Sequence, residues 1–292
     1  MSFLMGTLLL AVVTAVACAI PGVFVVLRRS SMLVDGMGHA VLPGIVVGYY
    51  FTHDLRSPLL IVGATLAGVF VVLGSEYLAR LGVLTGDAPQ GLIFPALFSA
   101  GVIMITLNFA NVHLDTHAVL VGDLNLISFD QLMINGTSYG PRYMYVMLGV
   151  LAVNLSFIAV CYHRLKITTF DNEFATLLGM RSGVLNGMFM FLVSLTVTAA
   201  FHAVGAILVI SLIVVPAATA YLLTCRLGIM VVLAGVIAGG GAVCGFWVAY
   251  WTGAATSAGM AVFYGCVFIL VFLGVQVRQR FVRARAYRQA SR

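Results

Sequence analysis

Nine stretches of this chain, near residues 4–27, 32–52, 58–79, 91–109, 143–162, 184–201, 203–224, 228–250 and 256–277, are apolar and nearly free of charge. Each comes close to the roughly 20 residues an α-helix needs to cross a hydrocarbon layer about 30 Å thick. Lipid holds no water to bond a bare backbone, so such a segment closes its own N–H and C=O groups as a helix. Only 8% of the 292 side chains are charged and 62% are hydrophobic, too little polar surface to cover a water-soluble globule. The expected fold is an all-α polytopic membrane protein, a single transmembrane domain over 1–292, with a bundle of eight or nine transmembrane helices. Eight is the number if the first or second stretch fails to cross, and 32–52 is polar enough at its start to be partly re-entrant.

Charge placement orients the bundle. With the C-terminal tail inside, thirteen of the fifteen Lys and Arg residues are cytoplasmic: Arg28, Arg29, Arg80, Arg164, Lys166, Arg181, Arg226 and six tail arginines. Only Arg56 and Arg142 lie outside. Basic residues concentrate in cytoplasmic loops, so the N-terminus is external and the C-terminus cytoplasmic. The basic tail, 278–292, reads as a snorkelling helix end that meets lipid phosphates, not as a nucleic-acid site. The five cysteines are scattered without a C-x-x-C pair and mostly sit in apolar runs, where they pack. Ala15-Val16-Ala17-Cys18 resembles a lipoprotein cleavage site but lacks the preceding basic segment, and is taken as part of an uncleaved span.

Two loops are long. The cytoplasmic one, 163–183, contains a short amphipathic helix from Phe170 to Gly179. Asp171 can cap its start, Glu173 lies in the first turn where the helix dipole favours it, and Gly179 suits its end. Phe170, Phe174, Leu177 and Leu178 fall on one apolar face. That face either lies on the bilayer interface or docks in a groove of a partner protein; composition does not separate the two. The long external loop, 110–142, begins ANVHLDTHAVLVGDLNLIS.

FDNEFATLLGM closely resembles the coupling-helix segment of permease subunits from ATP-binding-cassette importers of manganese, zinc and iron. Arg28-Arg29-Ser30-Ser31 leading through DGMGHAVLPGIVVG resembles that family's first cytoplasmic turn and the helix after it. HLDTHAVLVGDL resembles its external segment, and AVGAILVISLIVVPAATAYLLT its broken helix near the end of the bundle. These matches run in order from residue 28 to 224. Tyr250-Trp251-Thr252-Gly253-Ala254 departs from the family, which often has a proline before the Thr-Gly.

The resemblance implies a transport subunit and not an enzyme. The chain has no GxxxxGK followed by Ser or Thr, the loop that cradles nucleotide phosphates, so ATP hydrolysis falls to a separate chain. Implied partners are two copies of a cytoplasmic ATP-binding-cassette ATPase, a second permease subunit (identical or homologous) and an external metal-binding receptor, in a bacterial plasma membrane. The ATPase-binding residues implied are Phe170, Asp171, Glu173, Phe174, Leu177, Leu178 and Gly179. No cofactor is permanently bound; the cargo is a divalent metal, with manganese preferred over zinc or iron.

Asp35 and His39 are the polar residues that most need a purpose. Counted from Arg29, a helix carries Asp35 about 9 Å and His39 about 15 Å inward, half the thickness of the hydrocarbon core. Four residues apart, they share a helix face. An ionised Asp inside a span costs roughly 2.5–3.5 kcal/mol even on the lenient insertion scale, and marks an ion path by default. The plainer alternative is a helix-capping Asp and a His bonded to a neighbouring carbonyl. His113, Asp115 and His117 alternate outside as weaker metal ligands or as a solvated loop; His202, at an external turn, is weaker still, and His53 and Asp54 look like loop residues. Pro216 breaks 203–224 and frees a carbonyl near Leu212 that Ser211 can help satisfy, so the two mark a kink or gate. The GxxxG steps Gly44/Gly48, Gly235/Gly239 and Gly241/Gly245 point to close packing, within the chain more than between chains. The competing function is a permease for iron chelates or cobalamin, which needs a wider path and no bare ligands at mid-depth.

Overall fold

A computed structural model of the chain describes residues 3–54, 57, 59–82, 86–108, 124–134 and 137–290. Among them, nine helices are long and apolar enough to cross a membrane: α1 (Phe3–Leu27), α2 (Ser31–Thr52), α3 (Leu59–Arg80), α4 (Ala88–Asn108), α6 (Arg142–Phe170), α8 (Ser182–Val204), α9 (Ala206–Leu223), α10 (Leu227–Thr252) and α11 (Thr256–Ala290). The stretch at 32–52 forms one unbroken helix over Pro43, so the second span joins the bundle at full length.

The described parts of the two long loops contain regular structure. Helix α6 has 29 residues, about 44 Å at 1.5 Å each, well beyond the roughly 30 Å hydrocarbon layer. It runs on through His163–Phe170, where nothing breaks a helix and Leu165 is fully buried. A second short helix, α7 (Asn172–Leu177), then precedes α8. At the opposite end, the described part of the loop at 110–142 holds α5 (Leu124–Ser128) and an antiparallel pair of β1 (Gln131–Ile134) and β2 (Thr137–Pro141). These strands are too short to announce themselves by alternation. They are pinned against the bundle: Arg142 N–H donates to the Asp130 carbonyl at 2.9 Å, the rings of Phe3 and Phe129 lie 4.8 Å apart, and Asn125 donates to Thr256.

Helix α1 is the hub, packed against α6, α9 and α10, with Leu10, Ala15, Cys18 and Phe24 fully buried. Gly22 lies against the backbone of α9, where a Cβ would run into the Ile213 carbonyl oxygen. A second group forms around α2, which packs on α3 and α4. Gly44 and Gly48 meet the α3 backbone at Gly63, Ala64 and Leu59, so this GxxxG step serves packing within the chain. Gly241 and Gly245 likewise face Tyr264 and Met260 of α11, and Gly239 faces α1. Polar ties cross the same contacts. Buried Asn154 donates to Thr196 Oγ1 at 2.8 Å, and Ser194 donates to the Thr65 carbonyl at 2.9 Å.

The expectation for Ser211 needs correction. Its hydroxyl donates to the Ile207 carbonyl at 3.0 Å, one turn before the group that Pro216 frees, and α9 stays helical over Pro216. Ser211 does not repair the break, because a serine in a helix reaches back four residues to its own turn.

Gly22→Ala tests the hub contact. The added methyl must push α1 from α9, an overpacking that costs about 1–3 kcal/mol. The midpoint of thermal unfolding in detergent should drop by several degrees, while Gly235→Ala, where a Cβ meets open space, should leave it unchanged. Equal midpoints for the two variants would refute the close contact.

Candidate metal site and coupling surface

Helix α2 opens at Ser31, which places Asp35 about 6 Å and His39 about 12 Å along it. The His39 Nε2 and Asp35 Oδ1 atoms lie 3.6 Å apart, with the side chains 37% and 33% exposed. His39 stacks on Phe94 of α4 at 5.2 Å between ring centroids, and the ring of Phe98 meets it edge-on at 6.0 Å. Gly36, beside Asp35, lets α2 approach Val71 and Phe94. An oxygen and a nitrogen donor therefore share one face, braced by aromatic rings yet open on one side.

Phe94 and Phe98 were not singled out from the sequence. Their spacing of four is the available signal: it repeats the Asp35–His39 spacing on a neighbouring helix. Oxygen and imidazole donors suit manganese, iron or zinc, which take shells of four to six ligands. Two donors fill only part of such a shell. Among the described residues, no group of three or more His, Cys, Asp or Glu side chains converges.

Among the described residues, no other candidate joins the pair. His113, Asp115 and His117 lie outside the described residues. His202 is in the last turn of α8, exposed, with its ring 5.0 Å from that of Tyr143. His53 caps the C-terminus of α2 in a left-handed conformation, as a loop residue would.

At the basic end, Asp171 ends α6 and caps α7, its Oδ1 accepting from Phe174 N–H at 2.8 Å. Glu173 occupies the first turn. Gly179 closes the helix with φ +71, and the N–H groups of Met180 and Gly179 bond the carbonyls of Ala175 and Thr176, a Schellman ending. The expected helix over 170–179 is thus two pieces: Phe170 finishes α6, and α7 covers only Asn172–Leu177. Ala175 is fully buried against the bundle, whereas Phe170, Phe174, Leu177 and Leu178 are exposed, Leu177 by 85%. An open cleft lined by Tyr162, Lys166, Phe170 and Arg226 runs beside this face. The four apolar side chains expected on this face are thus exposed, Phe170 at the end of α6 and Phe174, Leu177 and Leu178 on or just after α7.

The chain is similar to known proteins along most of its length. The sequence pattern of a family described as the ABC 3 transport family matches residues 1–275. The zinc transport system membrane protein TroD of Treponema pallidum is 42% identical over 269 residues, covering 92% of this chain and 73% of that protein. The manganese transport system membrane protein MntD of Bacillus subtilis is 36% identical over 273 residues, covering 94% and 92%. Among solved structures, PsaBC from Streptococcus pneumoniae in complex with Fab superposes with a TM-score of 0.77 at 25% identity, covering 93% of this chain and 91% of that one. A transporter of metal-chelate type in an inward-facing conformation shares the fold, with a TM-score of 0.68 at 15% identity and coverage of 92% and 85%.

Removing the cap should loosen α7 alone. Asp171→Ala gives up a capping bond of about 1 kcal/mol, so the Phe174 amide should exchange its hydrogen about five-fold faster while amides of α1 keep their protection. Unchanged exchange at Phe174 would show that the cap does not hold this helix.

Proposed function

The chain belongs to the ABC 3 transport family, and from that membership we propose that it is the membrane-spanning permease subunit of an ATP-driven importer of a divalent transition metal. The observation that carries this reading is the Asp35–His39 pair, two metal donors one turn apart on an apolar span. The relatives' names divide between zinc and manganese. A donor set with a carboxylate and no thiolate favours manganese as the first cargo to test.

The pair is half a site. A second permease subunit, identical or homologous, brings a matching pair to the open side of Asp35 and His39. Two carboxylates contribute −2 and the cation +2, so the filled site is neutral and the penalty for burying charge largely disappears. Two imidazoles complete four N and O donors, enough to replace part of a hydration shell while still allowing release.

The basic end is the cytoplasmic one, following the distribution of Lys and Arg. There the exposed stripe of Phe170, Phe174, Leu177 and Leu178 enters a groove on the ATPase, two copies of which serve the permease pair. An external receptor delivers the metal at the end that carries β1 and β2. The chelate reading is weaker: the chelate-type transporter shares the fold at 15% identity, and a chelated cargo has no use for bare ligands.

Metal uptake into proteoliposomes holding permease, ATPase and receptor tests the site. Asp35→Asn keeps the shape but removes one charge per chain, so uptake should be abolished while ATPase association survives. His39→Ala should block or sharply slow uptake through lost ligation. Wild-type uptake by both variants would reduce the pair to a structural role.

The stripe has its own test. Glu173→Ala combined with Phe174→Ala should dissociate the ATPase or leave hydrolysis running without uptake, with normal membrane insertion. Copurification and full transport by the double variant would show that the ATPase docks elsewhere.

A further inference from the structure

Three elements of the basic end meet at one guanidinium, and a fourth is tied in through a neighbouring amide. Arg28 donates from Nε to Thr169 Oγ1 at 3.1 Å, from Nη1 to Asn186 Oδ1 at 2.6 Å and from Nη2 to Thr168 Oγ1 at 3.3 Å. Its plane covers the Phe189 ring at 4.7 Å. Asn186 passes the contact on, donating from Nδ2 to Glu76 Oε1 of α3 at 2.7 Å. The turn between α1 and α2, the last turn of α6, the start of α8 and the end of α3 are thereby fastened together.

The turn that carries Arg28 is tightly hydrogen-bonded. Arg29 N–H bonds the Val26 carbonyl and Ser30 N–H the Val25 carbonyl, each at 3.0 Å. This tight ending holds Arg29 at φ +56, a conformation disfavoured for any residue but glycine that persists where the surroundings fix it. Helix α2 begins at Ser31, directly after the turn, with Asp35 one turn further on. On the other side, Thr169 stands two residues before Asp171, the cap of α7. Phe170 therefore directly follows one partner of Arg28, and the helix that carries Asp35 and His39 opens at Ser31, just past Arg28 itself.

The chemistry is specific to arginine. A planar guanidinium reaches three acceptors at once in fixed directions, which an ammonium on a flexible stem does not. The acceptors named above are neutral hydroxyl and amide oxygens, and burial lowers the guanidinium pKa to about 10, so it stays charged at neutral pH. A half-buried cation held by neutral groups is a costly way to fill space, since an apolar residue packs there more cheaply. What the cation adds is a directional three-way tie.

We propose that Arg28 is the strut by which displacement of the coupling surface at α7 moves α2, and with it Asp35 and His39. The inference rests on the import reading above, in which α7 meets the ATPase and α2 carries the cargo. Arg28 is a positioning residue: it touches neither metal nor ATPase and acts through Thr168, Thr169 and Asn186. Cutting the strut separates hydrolysis from transport while leaving the metal donors and the docking stripe in place.

The test uses the reconstituted complex and measures manganese taken up per ATP hydrolysed, alongside equilibrium binding of manganese. In Arg28→Gln, hydrolysis and manganese binding should stay near wild type while uptake per ATP falls about ten-fold, the scale of a typical coupling free energy. Arg28→Lys should remain impaired, since charge without the planar fork does not restore the tie. Thr168→Val with Thr169→Val removes only the α6 arm at nearly constant volume and should lower the ratio in the same sense; it decides the matter if Arg28→Gln fails to assemble. A wild-type ratio in Arg28→Gln, or in the threonine pair, overturns the strut. Parallel loss of binding, hydrolysis and uptake overturns it too, because that pattern is structural. If the wild-type complex imports no metal, the import reading itself fails; import by wild type with a normal ratio in the variants sinks the strut alone.

Discussion

Lipid does not drive helices together, because hydrocarbon tails are as apolar as the side chains that face them. Association in this bundle depends on close backbone approach and on polar groups that find partners only across helices. Helix α1 becomes the hub by meeting the first demand: Gly22 brings it against the α9 backbone, and Ala15, Ala17 and Ala19 are fully buried. Asn154 meets the second from α6, reaching Thr196 and the Ala17 carbonyl. The α2–α3 contact repeats the solution with Gly44, Gly48 and Gly63. Small residues at these positions govern where every larger side chain ends up.

Against that background, α2 stands out. It packs by glycine like its neighbours, yet its open face carries a carboxylate and an imidazole with aromatic rings beside them. Nothing about helix packing asks for Asp35: its contact across 3.6 Å is with a residue of its own helix, and such a pair adds little to stability. A group that costs energy and stabilises little is where function is expected to sit. On the proposed reading, the cost is met only while a cation bridges the two halves of a permease pair.

Much of this was legible in the sequence, for physical reasons. Hydrocarbon thickness sets span length, so apolar runs located the nine helices among the described residues that are long enough to cross, most ends within a few residues, although α6 and α11 run on to Phe170 and Ala290. The cap at Asp171 and the left-handed Gly179 were also legible, because capping is local chemistry. The overhang of α6 was not: His163–Phe170 is polar enough to look like loop, and only burial of Leu165 and the ties from Thr168 and Thr169 to Arg28 draw it into the body. The strand pair at 131–141 escaped because two short strands derive their order from contacts with α1 and α6, not from their own pattern. Arg28 counted as one more inside charge; its partners lie some 140 and 158 positions away in sequence, where no local rule reaches.

On the proposed reading, the two metal donors sit on a single helix beside a short turn for a mechanical reason. A site with all its ligands inside one chain would have to distort that chain to let the ion go, at the cost of contacts that already pack backbone to backbone. Two donors per chain avoid this. If each permease moves α2 as a rigid body, the number of donors around the ion changes while the helix keeps its own hydrogen bonds. Such motion needs a handle near the start of α2 that lipid does not reach. In this chain that place is the turn of Arg28 and Arg29, held in a left-handed backbone and clamped to the overhanging stem of α6. On the proposed reading, tight interior packing and a shared half-site are compatible, because α2 keeps its contacts with α3 and α4 while its open face meets the second permease.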